Sequence, residues 1–193
     1  MALAIGYVAA IWRRGRGILW DKLYGHSLAT RSFIAKLDPK LTRVKGTAVF
    51  MTGNPDVVPN ALLHNLKHNK VLHERVLLMT VRVGDVPFVP DEDRVELAEL
   101  GKGFWKAAVR YGFMDRPDIP RALAACRAPG LDVDLMLTSF FLARETLIPS
   151  PRRKMSRVAE RLFILLAAAA LPATAYFRVP PNRVVELGTQ VEV

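Results

Sequence analysis

The sequence predicts an α/β fold of the mixed α+β kind: a mixed β-sheet with flanking helices, preceded by a truncated membrane-helix stub and a helical connector. Three observations carry this. Residues 46–81 alternate a short apolar run, a Gly/Asn/Pro turn, a helical segment and a second apolar run, which describes one strand–helix–strand unit. Residues 95–111 place two alternating segments around Gly101-Lys102-Gly103, the pattern of a hairpin. Residues 2–12 are uncharged and lead straight into Arg13, Arg14 and Arg16. The expected divisions are 1–17, the end of a transmembrane helix; 18–42, the connector; and 43–193, a cytoplasmic α/β domain.

The N-terminal run of eleven uncharged residues, ALAIGYVAAIW, is too short to cross a bilayer alone, since a helix needs ~20 apolar residues. It is also a poor signal peptide, because no basic region precedes it. It reads as the last turns of a spanning helix, with Trp12 and Trp20 at headgroup depth and Arg13, Arg14 and Arg16 marking a cytosolic exit. A buried or frayed N-terminal helix is the alternative. In the connector, Ile18, Leu19 and Leu23 form an apolar stripe that Gly25-His26-Ser27 interrupts, with His26 read as a solvated residue. Thr30 is expected to cap a short helix bearing Phe33, Ile34 and Leu37, which Asp38-Pro39 ends.

Thr47–Met51 is a short buried-type strand, and Gly53–Asp56 supplies its turn. Pro59 suits the first turn of the helix that follows. There Leu62, Leu63 and Leu66 are expected on the core side, with His64, Lys67 and His68 opposite. Val76–Val81 is the second strand. Val83–Pro90 is broken by prolines and reads as a loop or edge, and Asp91-Glu92-Asp93 as a solvated turn. Asp118 and Pro120 open a helix through Ala122–Arg127 that Pro129-Gly130 stops. Thr138–Ala143 is a strand. Arg152-Arg153-Lys154 lies in a basic, proline-rich loop that could face an anionic membrane but reads as an ordinary surface loop, and Ser156 or a neighbour caps a helix uncharged from Leu162 to Phe177 and interrupted by Pro172. Val184–Leu187 closes the chain as a short strand.

Charge and chemistry narrow the function. Of the net +10, residues 1–45 hold +7, from nine Lys/Arg against Asp21 and Asp38, so the remainder is close to balanced and nucleic acid is not an expected partner. One cysteine, Cys126 among alanines, permits no internal disulfide and reads as core filler. No catalytic set, cofactor fingerprint or metal motif is present, so no enzyme is expected. His64 and His68 have the i, i+4 spacing of a helical zinc pair but lack the glutamate of HExxH. His64, Lys67, His68 and Lys70 form instead a candidate anion or nucleotide face, or simply a solvated one.

Five stretches carry a resemblance: IWRRGR at 11–16, GTAVFMTGNPDVVPNALLHNLKHNKVLHER at 46–75, VRYGFMDRPDIP at 109–120, TSFFLARETLIPS at 138–150 and FRVPPNRVVELGTQVE at 177–192. Together they resemble the soluble C-terminal region of the Kup (HAK/KUP/KT) potassium uptake permeases, with IWRRGR resembling the exit of the last membrane helix. The resemblance implies a proton-coupled potassium symporter whose membrane helices precede this region and hold the ion pathway, so no transport residue carries over. The chain is then expected to be a gene fragment, split subunit or excised domain at the cytoplasmic face of the cell membrane, not transport-competent alone. Its expected partners are the membrane, the transmembrane portion and, as a candidate, a second copy. Its candidate regulatory ligand is cyclic di-AMP on the face of His64, Lys67, His68 and Lys70. The family is usually more polar at 165–175, so that apolar stretch is expected to pack against a partner. The alternative is a free cytosolic basic module binding nucleic acid or nucleotide.

Overall fold

The computed structural model describes residues 2–25, 27–126, 130–131, 133–152, 154–170 and 173–193. His26, Arg127, Pro129, Arg153 and Pro172, each read above from the sequence, lie outside the described residues. The chain divides into two compact units, one of residues 1–27, 144–171 and 188–193, the other of residues 28–143 and 172–187.

The larger unit is built around two strands, β1 (Arg43–Met51) and β2 (Leu72–Val83), joined by helix α3 (Asn60–Asn69) and paired in parallel. Both are longer than the apolar runs alone indicated, because pairing recruits the polar residues at each end. Ala48, Val49 and Phe50 of β1 and Val76–Met79 of β2 are fully buried. Side chains alternate along a strand, so burial of consecutive residues requires cover on both faces of the sheet. On one face Val49, Leu77 and Met79 pack with Ile119, Ala122 and Leu123 of helix α4 (Ile119–Ala125). On the other, Phe50 and Leu78 pack with Ala61 and Leu62 of α3 and Ile34 of the short helix α2 (Thr30–Ala35). Phe50 stacks on Phe141 at 4.6 Å. Each such fully buried Leu or Phe contributes roughly 2 kcal/mol.

Strands β3 (Val95–Gly101) and β4 (Phe104–Tyr111) form the expected antiparallel hairpin, and β4 joins β2 in parallel. β5 (Thr138–Ile148) pairs with β1, and β6 (Val184–Glu192) flanks β5, giving the order β3-β4-β2-β1-β5-β6. β5 and β6 run well past the segments 138–143 and 184–187 that their apolar residues marked. Cys126, after α4, is buried, and burial pushes its thiol up to about 11, out of range for a nucleophile at neutral pH.

Local corrections follow from the same packing. Thr30 does not cap α2: Ala29 holds the cap position, and the Thr30 hydroxyl donates to the Pro55 carbonyl at 3.0 Å. Pro59 is the residue before α3 rather than within its first turn. Asp118 does cap α4, accepting from the Arg121 amide at 2.9 Å. Asp91, read with Glu92 and Asp93 as a solvated turn, is exposed as expected and also pairs with Arg94 at 3.0 Å and Arg121 at 2.6 Å.

Two polar devices set the ends of the parallel strands. Where the strands begin, the Arg43 guanidinium donates to the carbonyls of His73 and Lys102. Where they end, the Asp115 carboxylate accepts from the amides of Gly112 at 2.7 Å and Val89 at 3.1 Å, with Arg94 3.4 Å away. Those amide bonds, then the charge of Arg94, hold the Asp115 carboxyl below its usual value. β1 also carries an irregularity between Val44 and Thr47, where Gly46 takes φ +102° and a Cβ would collide with the Leu137 carbonyl.

Gly46→Ala is therefore expected to destabilise the fold by at least about 2 kcal/mol, read as a lower denaturation midpoint in urea. Because the Asp115 pKa is depressed in the folded state, its stabilisation is present above about pH 4 and lost as pH falls through the folded value. Asp115→Asn should lower Tm at pH 7 and flatten the acid limb of a Tm-against-pH curve below about pH 4.

Candidate functional site

The first candidate is the basic face of α3. The helix buries Ala61, Leu62 and Asn65, so its inward stripe is turned from the expected one: Leu63 is 38% exposed, and the amide of Asn65 goes inward. Asn65 has a structural reason to be there. Its Nδ2 donates to the Val71 carbonyl at 3.0 Å, and its Oδ1 accepts from Asn69 at 2.8 Å, closing the helix end. Lys70 then takes φ +56° in the left-handed cap position, its amide bonded to Leu66. His64 and His68 come together, with ring centroids 5.9 Å apart. Lys67 and Lys70 are exposed beside them. His73 does not join them; its ring packs edge-on against Phe141 at 5.8 Å, and burial holds its pKa down. Among the described residues no three His, Cys, Asp or Glu are grouped to hold a metal ion. Lys67 and His68 lie in the last turn of α3 and Lys70 caps it, where cations offset the negative end of the helix dipole; His64 lies one turn earlier. An anion on this face would be drawn by side-chain charge alone and would meet that dipole unfavourably.

The second candidate lies in the smaller unit. Helix α1 is continuous from Ala2 to Tyr24, so the stripe of Ile18, Leu19 and Leu23 belongs to the same helix as the apolar run before Arg13. No helix among the described residues is long and apolar enough to cross a membrane. α1 packs on helix α5 (Arg157–Ala168), which Ser156 caps by accepting from the Ala159 amide at 3.3 Å. The contact is made by Ile11, Ala159 and Phe163, with Val193 completing the cluster. Trp12 lies against Phe163 at 5.6 Å, and Gly15 admits that ring so closely that a Cβ would overlap it.

Only part of the apolar run is used in this packing. Ile11 is 5% exposed, whereas Ile5 is 69% and Trp12 37% exposed. Ala4, Ile5, Val8, Ala9, Trp12 and Leu166 line an open apolar groove of about 600 Å³. The predicted interfacial residues follow directly. Arg13 is exposed, Arg14 donates to the Lys154 carbonyl at 2.9 Å, and the Arg16 guanidinium stands 6.0 Å from the Trp12 ring. Trp20, half exposed, packs on Tyr24 at 4.3 Å. The sequence reading put Lys154 in a surface loop that could face an anionic membrane but not beside α1; its contact with Arg14 arises from tertiary packing that local pattern does not show.

Residues 45–193 match the family model described as the K+ potassium transporter C-terminal domain. The chain belongs to this family. It is 51% identical, over its whole length, to a probable potassium transport system protein Kup of Myxococcus xanthus, covering 30% of that protein. It is 49% identical over its whole length to Kup 1 of Paramagnetospirillum magneticum, covering 31% of it, and 50% identical to Kup 1 of Dechloromonas aromatica over 93% of this chain and 29% of the relative. The chain thus spans about 30% of the length of the relatives it matches. No solved structure matches it. Kup proteins form a transporter family, not an enzyme family.

The α1–α5 contact yields a paired test. Alanine in place of an exposed helical glycine normally stabilises by ~1 kcal/mol. Gly17 has open space around its Cβ position, so Gly17→Ala should stabilise by about that amount. Gly15→Ala should instead destabilise by about 1 kcal/mol or more, because the buried Phe163 ring must move. Thermal melts of the two variants should shift in opposite directions.

Proposed function

We propose that this chain is the C-terminal cytoplasmic part of a proton-coupled potassium uptake transporter, acting in its regulation and assembly. The observation that carries the reading is similarity along the whole chain, near 50% identity, to potassium transport proteins of which it matches only about 30%. A path for a bare cation through a bilayer needs segments that span it with their backbone groups satisfied. No helix among the described residues meets that length and apolarity. We therefore assign the ion pathway to the regions of the relatives outside the matched part, and to this chain a folded lobe that works beside it.

The physical character of the chain supports such a role. The central strands are packed with apolar side chains on both faces. The surfaces left for partners are the helix faces and the ends of the strands. The apolar first half of α1 followed by three arginines fits a segment leaving a bilayer on its cytoplasmic side.

The test is complementation. A bacterial strain lacking potassium uptake would receive the Myxococcus xanthus relative without its matched C-terminal part, this chain, or both. Growth on limiting potassium and rubidium uptake should be restored several-fold more strongly by the pair than by either piece. Equal uptake with and without this chain would remove the assembly and regulatory role.

A further inference from the structure

The sheet of the larger unit leaves an open side as well as helix faces and strand ends. β3 is its outermost strand, paired with β4, and among the described residues no strand lies beyond it. The Arg94 carbonyl accepts from the Arg110 amide at 2.7 Å. Antiparallel bonding alternates, so Glu96 and Ala98 bond to β4 while the amides and carbonyls of Val95 and Leu97 point away from it. A groove follows the same strand. Two cavities, of about 400 and 330 Å³, share Arg31, Glu99 and Leu100 and together run between β3 and α2. The wall opposite β3 is fixed in place: the Thr30 hydroxyl donates to the Pro55 carbonyl, and the Thr30 amide to the Asp56 carbonyl at 2.9 Å. Ala98, Ala108 and Leu100 give the groove a small, apolar lining on the side of the sheet.

We propose that β3 and this groove receive an extended polypeptide segment with lysine or arginine at alternate positions, added to the sheet as a further strand, and that the segment is a cytoplasmic loop of the transporter's membrane-spanning part. The source of the segment rests on the transporter reading. Main-chain bonds to Val95 and Leu97 hold it, and every second side chain enters the groove. Charge selects the occupant. Residues 91–101 carry five acids against one base, Arg94, in a chain whose net charge is +10. Asp91 pairs with Arg94 and Arg121, and Glu96 with Arg110, whereas Glu92, Asp93 and Glu99 are exposed and make no ion pair among the described residues. Of the bases on the groove, Lys106 pairs with Asp56 at 2.7 Å and Lys102 donates to the Ala35 and Leu37 carbonyls. Arg31 lines the groove opposite Glu99, so the acidic excess lies along β3 and the residues leading into it. A long basic side chain lays its aliphatic stem on Ala98 and Leu100 and carries its charge out to Glu99. A second copy would set two acidic strands side by side, and like charges across a strand pair are destabilising. Cytoplasmic loops of membrane proteins carry the excess of lysine and arginine that fits, and the relatives extend well beyond the 30% or so of their length matched by this chain.

The experiment is fluorescence anisotropy of the purified chain with short synthetic peptides tiling the segments between the membrane spans of the Myxococcus xanthus relative, from both sides of the bilayer. Saturable binding is expected from lysine- or arginine-bearing peptides of the cytoplasmic side, with amide hydrogen exchange slowed at Val95 and Leu97. In the bound peptide, N-methylation of one alternate set of backbone amides should abolish binding and of the other set should not, because only one set faces β3. Glu99→Lys should weaken binding about fivefold, with circular dichroism unchanged because the side chain is exposed. Asp21→Lys, the same change of charge on an exposed site of the other unit, should leave binding unaltered. No binding by any cytoplasmic segment, equal binding by acidic peptides, unslowed exchange at Val95 and Leu97, or full binding by Glu99→Lys would each overturn the proposal. Slowed exchange at those amides without peptide, together with a dimer in sedimentation, would give the edge to a second copy and overturn it as well. Rubidium uptake in the complementation strain is scored separately, so if the paired pieces restore uptake and no peptide binds, this inference falls and the transporter reading stands.

Discussion

The parallel pairing of β1 with β2 is the constraint on which the larger unit depends. Ala48–Phe50 and Val76–Met79 are sealed on both faces, so none of these side chains can reach solvent or a ligand. Such strands hold only if each buried amide and carbonyl has a ladder partner, since an orphaned buried group costs about 1–3 kcal/mol. Both flanks are accordingly paired, β4 on β2 and β5 on β1. The consequences spread outward. Helices must cover the two faces, the connections must pass over them, and the polar work of the fold is pushed to the strand ends, where Arg43 and Asp115 collect backbone carbonyls and amides respectively.

This also decides what was legible beforehand. Continuous apolar runs of the β1 and β2 type are hard to mistake when a turn and a helix separate them, and the glycine turn of the β3–β4 hairpin reads directly. Strand lengths were not legible, because the ends of β2, β5 and β6 are polar and become strand only through a neighbour's ladder. The irregularity at Gly46 was equally hidden, since it is imposed by the carbonyl of Leu137, ninety-one positions away. The face of α3 was misjudged at Leu63 and Asn65 for a related reason. A buried asparagine is worthwhile only if it finds partners, and its partners are the Val71 carbonyl and Asn69 at the helix end, which hydrophobic spacing does not encode.

The candidate sites show the same division. The basic residues of α3 were identifiable by spacing, but not that Lys67, His68 and Lys70 stand at the negative end of the helix dipole, which gives those three a structural purpose without any ligand. The arginines after the apolar run were identifiable too. The contact of Arg14 with Lys154 was not, because Lys154 lies 140 residues away and meets α1 only where α5 packs on it. Continuity of α1 through Gly15 and Gly17 runs against the low helix propensity of glycine. At Gly15 the close ring contact supplies the compensation; at Gly17 the structure offers no corresponding contact.

Why two helices rather than one follows from size. The uncharged part of α1 is eleven residues, about half of what a spanning helix needs, and Ile11 is already committed to the contact with α5. What remains exposed on α1 is a short apolar strip that includes Ile5 and Trp12. Docking α5 alongside extends the strip through Leu166 and brings the Lys154 carbonyl to Arg14 in the same step. The contact through Ile11, Phe163 and Gly15 is thus more than a small core. It also holds Leu166 beside Ile5, Val8 and Trp12, so the apolar groove there exists only while the two helices stay docked.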